Sequence, residues 1–171
     1  MQKRLFVLLI LFTASAVIFL STPFAEDKII DVQYSQLTKD TKKQIDCLAD
    51  NIYFEAGHEP EKGRIAVALV TMNRMQDPRY PKDICSVVKQ RVNLTCQFSW
   101  FCDSGKRVSN LQAYKEAQRV AVFVYANYDK IADVTYGALF YHADYVNPGW
   151  RGLEKTAVIG RHIFYKESGK H

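Results

Sequence analysis

The stretch Asn51-Ile52-Tyr53-Phe54-Glu55-Ala56-Gly57 sets one carboxylate among aromatic and aliphatic neighbours close to a helix end. Upstream, Ile45, Leu48, Ala49, Ile52, Tyr53 and Ala56 recur at the spacing that gathers one apolar face on a helix, and Gly57 marks its stop. Glu55 lies one turn beyond Ile52 and two beyond Leu48, on the margin of that face, while Phe54 points to the other side. A carboxyl held there loses water, which raises its pKa and lets it keep a proton near neutral pH, as a general acid must. The plainer reading is a surface glutamate, or one satisfied by Arg64 or Arg74.

A chain of 171 residues suffices for one domain with a substantial core, and its 48% hydrophobic and 13% aromatic content argues against disorder outside the ends. Lys and Arg number 23 against 18 Asp and Glu, a net +5. Without Lys3 and Arg4 the balance is 21 against 18, too mild for a nucleic-acid partner. It suits a polyanionic surface such as a bacterial envelope, or plain solvation. Met1 to Arg4 form a basic start, residues 5–20 an apolar run, and residues 21–25 a small exit containing Pro23. Residues 1–25 are therefore expected to be a cleaved signal peptide, the alternative being an uncleaved anchor at 5–20, since a spanning helix usually needs about 20 apolar residues. Either way the domain is exported, periplasmic or extracellular, and any membrane link runs through that segment. Cys47, Cys85, Cys96 and Cys102 fit an oxidising compartment. Four cysteines allow three pairings, of which Cys96 with Cys102 and Cys47 with Cys85 are favoured. A four-cysteine zinc site lacks any CxxC pair.

Residues 26–40 are mixed and polar, read as a linker, and residues 41–171 as the domain. Helices are expected from about Thr41 to Ala56, after Pro60 through the all-round apolar Ile65-Ala66-Val67-Ala68-Leu69-Val70, over a short piece from Asp83 to Gln90, and from Leu111 to Tyr128 with Tyr114, Ala117, Ala121, Val124 and Tyr125 inward. Between the last two, Cys96-Gln97-Phe98-Ser99-Trp100-Phe101-Cys102 packs three aromatics into a short loop, a platform for stacking on a sugar or a base, or a core plug. Beyond Tyr128 the period changes. Residues 138–142, 156–159 and 162–165 are β-rich, with Gly160-Arg161 as a hairpin turn. The fold class is α+β, a helical body with a small C-terminal antiparallel sheet.

The runs LADNIYFEAGHEP, VALVTMNR, IC-x-VV-x-Q with QFSW, LFYHADYVNPGW and IGRHIFY, in that order over roughly Cys47 to Tyr165, closely resemble the SleB-type cell wall hydrolases, which include spore cortex-lytic enzymes. The resemblance implies a lysozyme-like or lytic-transglycosylase-like fold acting on peptidoglycan, with Glu55 as catalytic glutamate and no cofactor or metal. No repeat module for wall binding is evident, and a monomer is expected.

Cleaving a glycosidic bond needs an acid, and hydrolysis usually a second carboxylate. A lytic transglycosylase manages with one, and no second carboxylate stands as well placed as Glu55; Asp103 and Asp144 read as turn residues. The expected activity is cleavage between N-acetylmuramic acid and N-acetylglucosamine as a lytic transglycosylase, with a hydrolytic muramidase or a non-catalytic peptidoglycan-binding protein as alternatives. Gln97, Phe98, Ser99, Tyr141 and His142 are expected to line the glycan cleft, and Gly149-Trp150 to close it or pack at a corner. Arg74 and His162 read as structural. Two further rivals are a metal-dependent hydrolase built on Glu55-x-x-His58 with His142 and His162, which Gly57 disfavours, and a cysteine peptidase pairing a free thiol with His142.

Overall fold

The Thr38 hydroxyl accepts the Thr41 N–H at 3.2 Å and opens helix α1, Lys39–Ala56, in the computed structural model, which describes residues 29–169. The leader, residues 1–25, lies outside the described residues. One side of α1 disappears into the core, where Ile45, Leu48 and Ile52 have no exposed surface. Each contributes roughly 2–3 kcal/mol of transfer free energy. Gly57 ends the helix with right-handed dihedrals, so glycine is not required there for a left-handed turn. A Cβ at Gly57 would instead lie 2.5 Å from the Tyr53 carbonyl oxygen, and the missing side chain lets the chain leave the helix tightly.

Helix α2, Glu61–Gln76, follows Pro60 and is buried from Ala66 to Arg74, as an all-round apolar helix must be. Helix α3, Ile84–Val88, is capped by Asp83, whose carboxylate accepts the Ser86 N–H at 2.9 Å. Helix α4, Leu111–Asn127, is capped in the same way by Asn110. Helix α1 packs against the other three. Tyr125, expected inward, is 37% exposed, because Val120, Ala121 and Val124 already fill the buried stripe of α4. Among the described residues no helix is long and apolar enough to cross a membrane.

Strands β1, Arg91–Val92, and β2, Thr95–Cys96, form a minimal hairpin. Strands β3, Phe140–Ala143, β4, Leu153–Ile159, and β5, His162–Glu167, form an antiparallel sheet with β5 in the centre. Its inner face places Phe164 and Ile159 on Ala66 and Val70 of α2. Gly160, with φ +57°, makes the β4–β5 turn; a Cβ there would overlap the Glu59 carboxylate.

Disulfides join Cys47 to Cys85, tying α1 to α3, and Cys96 to Cys102, and no cysteine is left free. The part of the expected linker that is described is docked. Ile30 exchanges hydrogen bonds with the Asn127 amide, the Tyr34 hydroxyl donates to the Asp46 carboxylate at 2.7 Å, and Val32, Tyr34 and Leu37 pack on the helical core. These apolar residues show no period, and only the tertiary fold supplies their partners.

Candidate active site

Glu55 occupies the last turn of α1, one turn past the fully buried Ile52. Its carboxylate accepts a 3.2 Å hydrogen bond from the Tyr141 hydroxyl. Burial pushes the Glu55 pKa up, opposed first by that hydrogen bond and then by the positive charges of Arg74 and Lys106. The net shift is upward, the direction that retains a proton. Tyr141 reaches Glu55 from the inner face of β3, where its ring also meets Phe164. Burial and the neighbouring carboxylate hold its phenol well above the usual 10, so it remains a donor.

Arg74, 5% exposed in the last turns of α2, donates from Nε to the Leu139 carbonyl at 2.8 Å. Its guanidinium lies over the rings of Tyr80 and Phe98, at 5.5 and 5.0 Å. The adjacent Asn73 donates to Asp133, Thr135 and the Ala138 carbonyl, and accepts from the Tyr128 hydroxyl at 2.8 Å. This pair on α2 therefore fixes the chain just before β3, and so fixes Tyr141 over Glu55.

Beside Glu55 opens a cavity of about 710 Å³. One wall is the end of α1 and the turn after it, residues 53–59; a second is the loop following Asp103; the third is Ala143, Tyr145, Arg161 and His162 from the sheet side. The loop is pinned to α1, because the Tyr53 hydroxyl accepts the N–H groups of Ser109 and Asn110 at 3.1 and 3.0 Å. Among the described residues the cavity has one further carboxylate, Glu59, whose Oε2 accepts the Arg161 N–H at 3.1 Å. His162 is 7% exposed, and its Nδ1 is buried without a hydrogen-bond partner among the described residues. Burial lowers its pKa, favouring the neutral ring.

Of the cleft residues expected from sequence, Tyr141 reaches Glu55. Phe98 is instead a core residue beneath Arg74, and Gln97 and Ser99 are exposed outside the cavity lining. The three-aromatic loop is a packing device: the Trp100 indole N–H donates to Asn51 at 3.0 Å and its ring stacks on Phe54 at 4.6 Å. His142 alternates with Tyr141 along β3 and so faces the other side of the sheet. It stacks on Tyr165, takes part in a 3.0 Å contact with the Tyr165 hydroxyl, and packs edge-on to Trp150. Trp150 belongs to that outer cluster and does not line the cavity.

Asp103 accepts the Gly105 N–H at 2.9 Å, and Asp144 pairs with Arg161 at 3.2 Å; neither lines the cavity. The metal reading finds no ligand set, since no group of three or more His, Cys, Asp or Glu side chains converges among the described residues. The cysteine-peptidase reading has no thiol to use. The sequence places Tyr53 on the apolar face of α1 and Arg161 in a turn, and gives no direct sign that these two, or Glu59, Lys106 and Arg107, line the cavity. Tyr53 and Glu59 flank Glu55 in the chain, and that proximity was the available signal.

A family model described as cell wall hydrolase matches residues 58–165. The match begins three residues beyond Glu55 and so does not include that glutamate. Among curated proteins, the chain is similar to the spore cortex-lytic enzyme of Bacillus subtilis, 28% identical over 129 residues that make up 72% of this chain and 38% of the relative. It is 27% identical over 125 residues to the spore cortex-lytic enzyme of Halalkalibacterium halodurans, covering 70% of this chain and 34% of that protein. The chain thus spans little more than a third of the length of these relatives. Among solved structures it resembles the catalytic domain of the germination-specific lytic transglycosylase SleB from Bacillus anthracis, with a TM-score of 0.54, 26% identity, and coverage of 77% of this chain and 98% of that one. It also resembles the catalytic domain of the Bacillus cereus SleB protein, with a TM-score of 0.51, 24% identity, and coverage of 73% and 91%. The α+β fold with its lysozyme-like helical core agrees with the one expected from sequence.

Proposed function

Because the chain belongs to the cell wall hydrolase family, we propose that it cleaves peptidoglycan glycan strands between N-acetylmuramic acid and N-acetylglucosamine, as a lytic transglycosylase with Glu55 as acid and then base. The observation that carries this reading is the half-buried Glu55 carboxyl, with its raised pKa, under the Tyr141 hydroxyl and beside a cavity large enough for sugar rings. Protonated Glu55 gives its proton to the bridging oxygen as the bond from C1 of muramic acid breaks. The resulting carboxylate keeps the Tyr141 hydrogen bond and the nearby positive charges of Arg74 and Lys106. It then removes the proton from the 6-hydroxyl of the same sugar as that oxygen bonds to C1, closing a 1,6-anhydro ring without consuming water. Such a substrate lies outside the cytoplasm, where two disulfides persist.

Glu59 supports a second reading, since hydrolysis needs a base and this carboxylate lines the same cavity. Its bond to the Arg161 N–H and its place against the hairpin turn favour a structural role. Purified sacculi treated with the protein and with Glu55→Gln decide between them. Glu55→Gln should lower activity about 10²–10⁴-fold while the fold survives. Products lighter by one water than reducing muropeptides are expected by mass spectrometry. Reducing ends that vanish in Glu59→Gln would establish a muramidase, and an active Glu55→Gln protein would sink both.

A further inference from the structure

Three cationic side chains line the cavity and stand on two of its walls: Lys106 and Arg107 on the loop after Asp103, Arg161 on the β4–β5 turn. Arg161 is compensated, its guanidinium paired with Asp144 and lying 5.3 Å from the Tyr145 ring centre. Lys106 and Arg107 are exposed and form no hydrogen bond or ion pair through their side chains with the described residues. Lys106 is close enough to bias the Glu55 carboxyl. Nor does the loop carrying them hang free, since its start is turned by Asp103 and its end is held by the Tyr53 hydroxyl, two residues from Glu55.

Two positive charges without an ion-pair partner among the described residues thus stand on an anchored loop beside an acid whose proposed substrate backbone, a chain of N-acetylated sugars, is neutral. They raise the local concentration of anions, and in the polymer such anions are carboxylates on the O3 lactyl arm of muramic acid. The carboxylate is that of the lactyl group itself when the strand carries no peptide, or those of the peptide when it does. We propose that Lys106 and Arg107 form a subsite for a carboxylate borne on the O3 arm of muramic acid, selecting charged strands over neutral ones. This rests on the glycan-cleaving reading above.

Three strand preparations test it: peptide-bearing strands, strands freed of peptide with lactyl carboxylates exposed, and the latter with those carboxylates converted to methylamides. The readout is the ratio of kcat/KM for each charged substrate to that for the methylamide, a quantity insensitive to any general loss of rate. The wild-type ratio should be about tenfold for at least one charged form and shrink in about 0.5 M salt, where the screening length falls to a few ångströms. The form that leads identifies which carboxylate is read. Lys106→Gln with Arg107→Gln should bring the ratio to about one, and Arg107→Lys should preserve most of it. A wild-type ratio near one, or a ratio unchanged in the double variant, overturns the subsite while leaving strand cleavage standing. Absence of product from all three preparations overturns the cleavage reading and the subsite with it.

Discussion

At the scale of the residue, Glu55 is held between opposing influences: burial favours its protonated form, while the Tyr141 hydroxyl and the charges of Arg74 and Lys106 favour the carboxylate. Tyr141→Phe removes the strongest influence favouring the carboxylate, so the Glu55 pKa should rise further. The acid must be protonated to act, so the alkaline limb of the kcat/KM profile should move to higher pH, with a lower plateau because the carboxylate loses a donor. A limb that stays put or moves down would mean that Tyr141 does not govern this proton. The same burial has a thermodynamic sign. A carboxyl whose folded pKa exceeds its unfolded value stabilises the fold at low pH and loses that contribution as pH rises through the folded pKa. Glu55→Gln, which cannot ionise, should therefore have a higher Tm than the wild type at pH 8 and nearly the same Tm at pH 4. Thermal scans at the two values check that the difference appears only at the higher pH.

At the scale of the element, helix α1 was legible because its apolar period survives from Ile45 to Ala56, and the pairing of β4 with β5 because Gly160-Arg161 separates two β-rich runs. Strand β3 is legible as a strand, but which of Tyr141 and His142 faces inward depends on its pairing with β5, and no local signal carries that. The loop that brings Lys106 and Arg107 to the cavity is polar and aperiodic, and its position depends on a tyrosine hydroxyl meeting two backbone N–H groups. In the aromatic loop Phe98 follows the core-plug alternative, under Arg74 of α2, and which of the two alternatives it takes depends on that tertiary partner. The β1–β2 hairpin turns through Asn93 and Leu94 at φ 49° and 66°, and Leu94 is 93% exposed. Asparagine tolerates that region, whereas leucine is strained there. Leu94→Gly should raise stability by about 1 kcal/mol, seen as a higher denaturation midpoint at unchanged slope. A drop in the midpoint would assign Leu94 a packing role.

At the scale of the whole molecule, the two disulfides constrain very different lengths of chain. Cys47–Cys85 spans 38 residues and Cys96–Cys102 only 6, so loop-closure entropy assigns them about 4 and about 2 kcal/mol. Replacing Cys47 and Cys85 together by alanine should therefore lower stability more than replacing the other pair, as denaturant titration would show. Equal losses would mean that strain or residual unfolded structure outweighs chain entropy. The chain's two tryptophans occupy contrasting places. Trp150 is 43% exposed on the outer side of the sheet, while Trp100 is stacked on Phe54 next to Glu55 and bonded through its indole N–H to Asn51. Intrinsic fluorescence therefore has two separable origins, and iodide should quench the Trp150 component before the other. With Trp150→Phe, the remaining emission becomes an optical probe of the end of α1, sensitive to whatever fills the space beside the acid without any label attached.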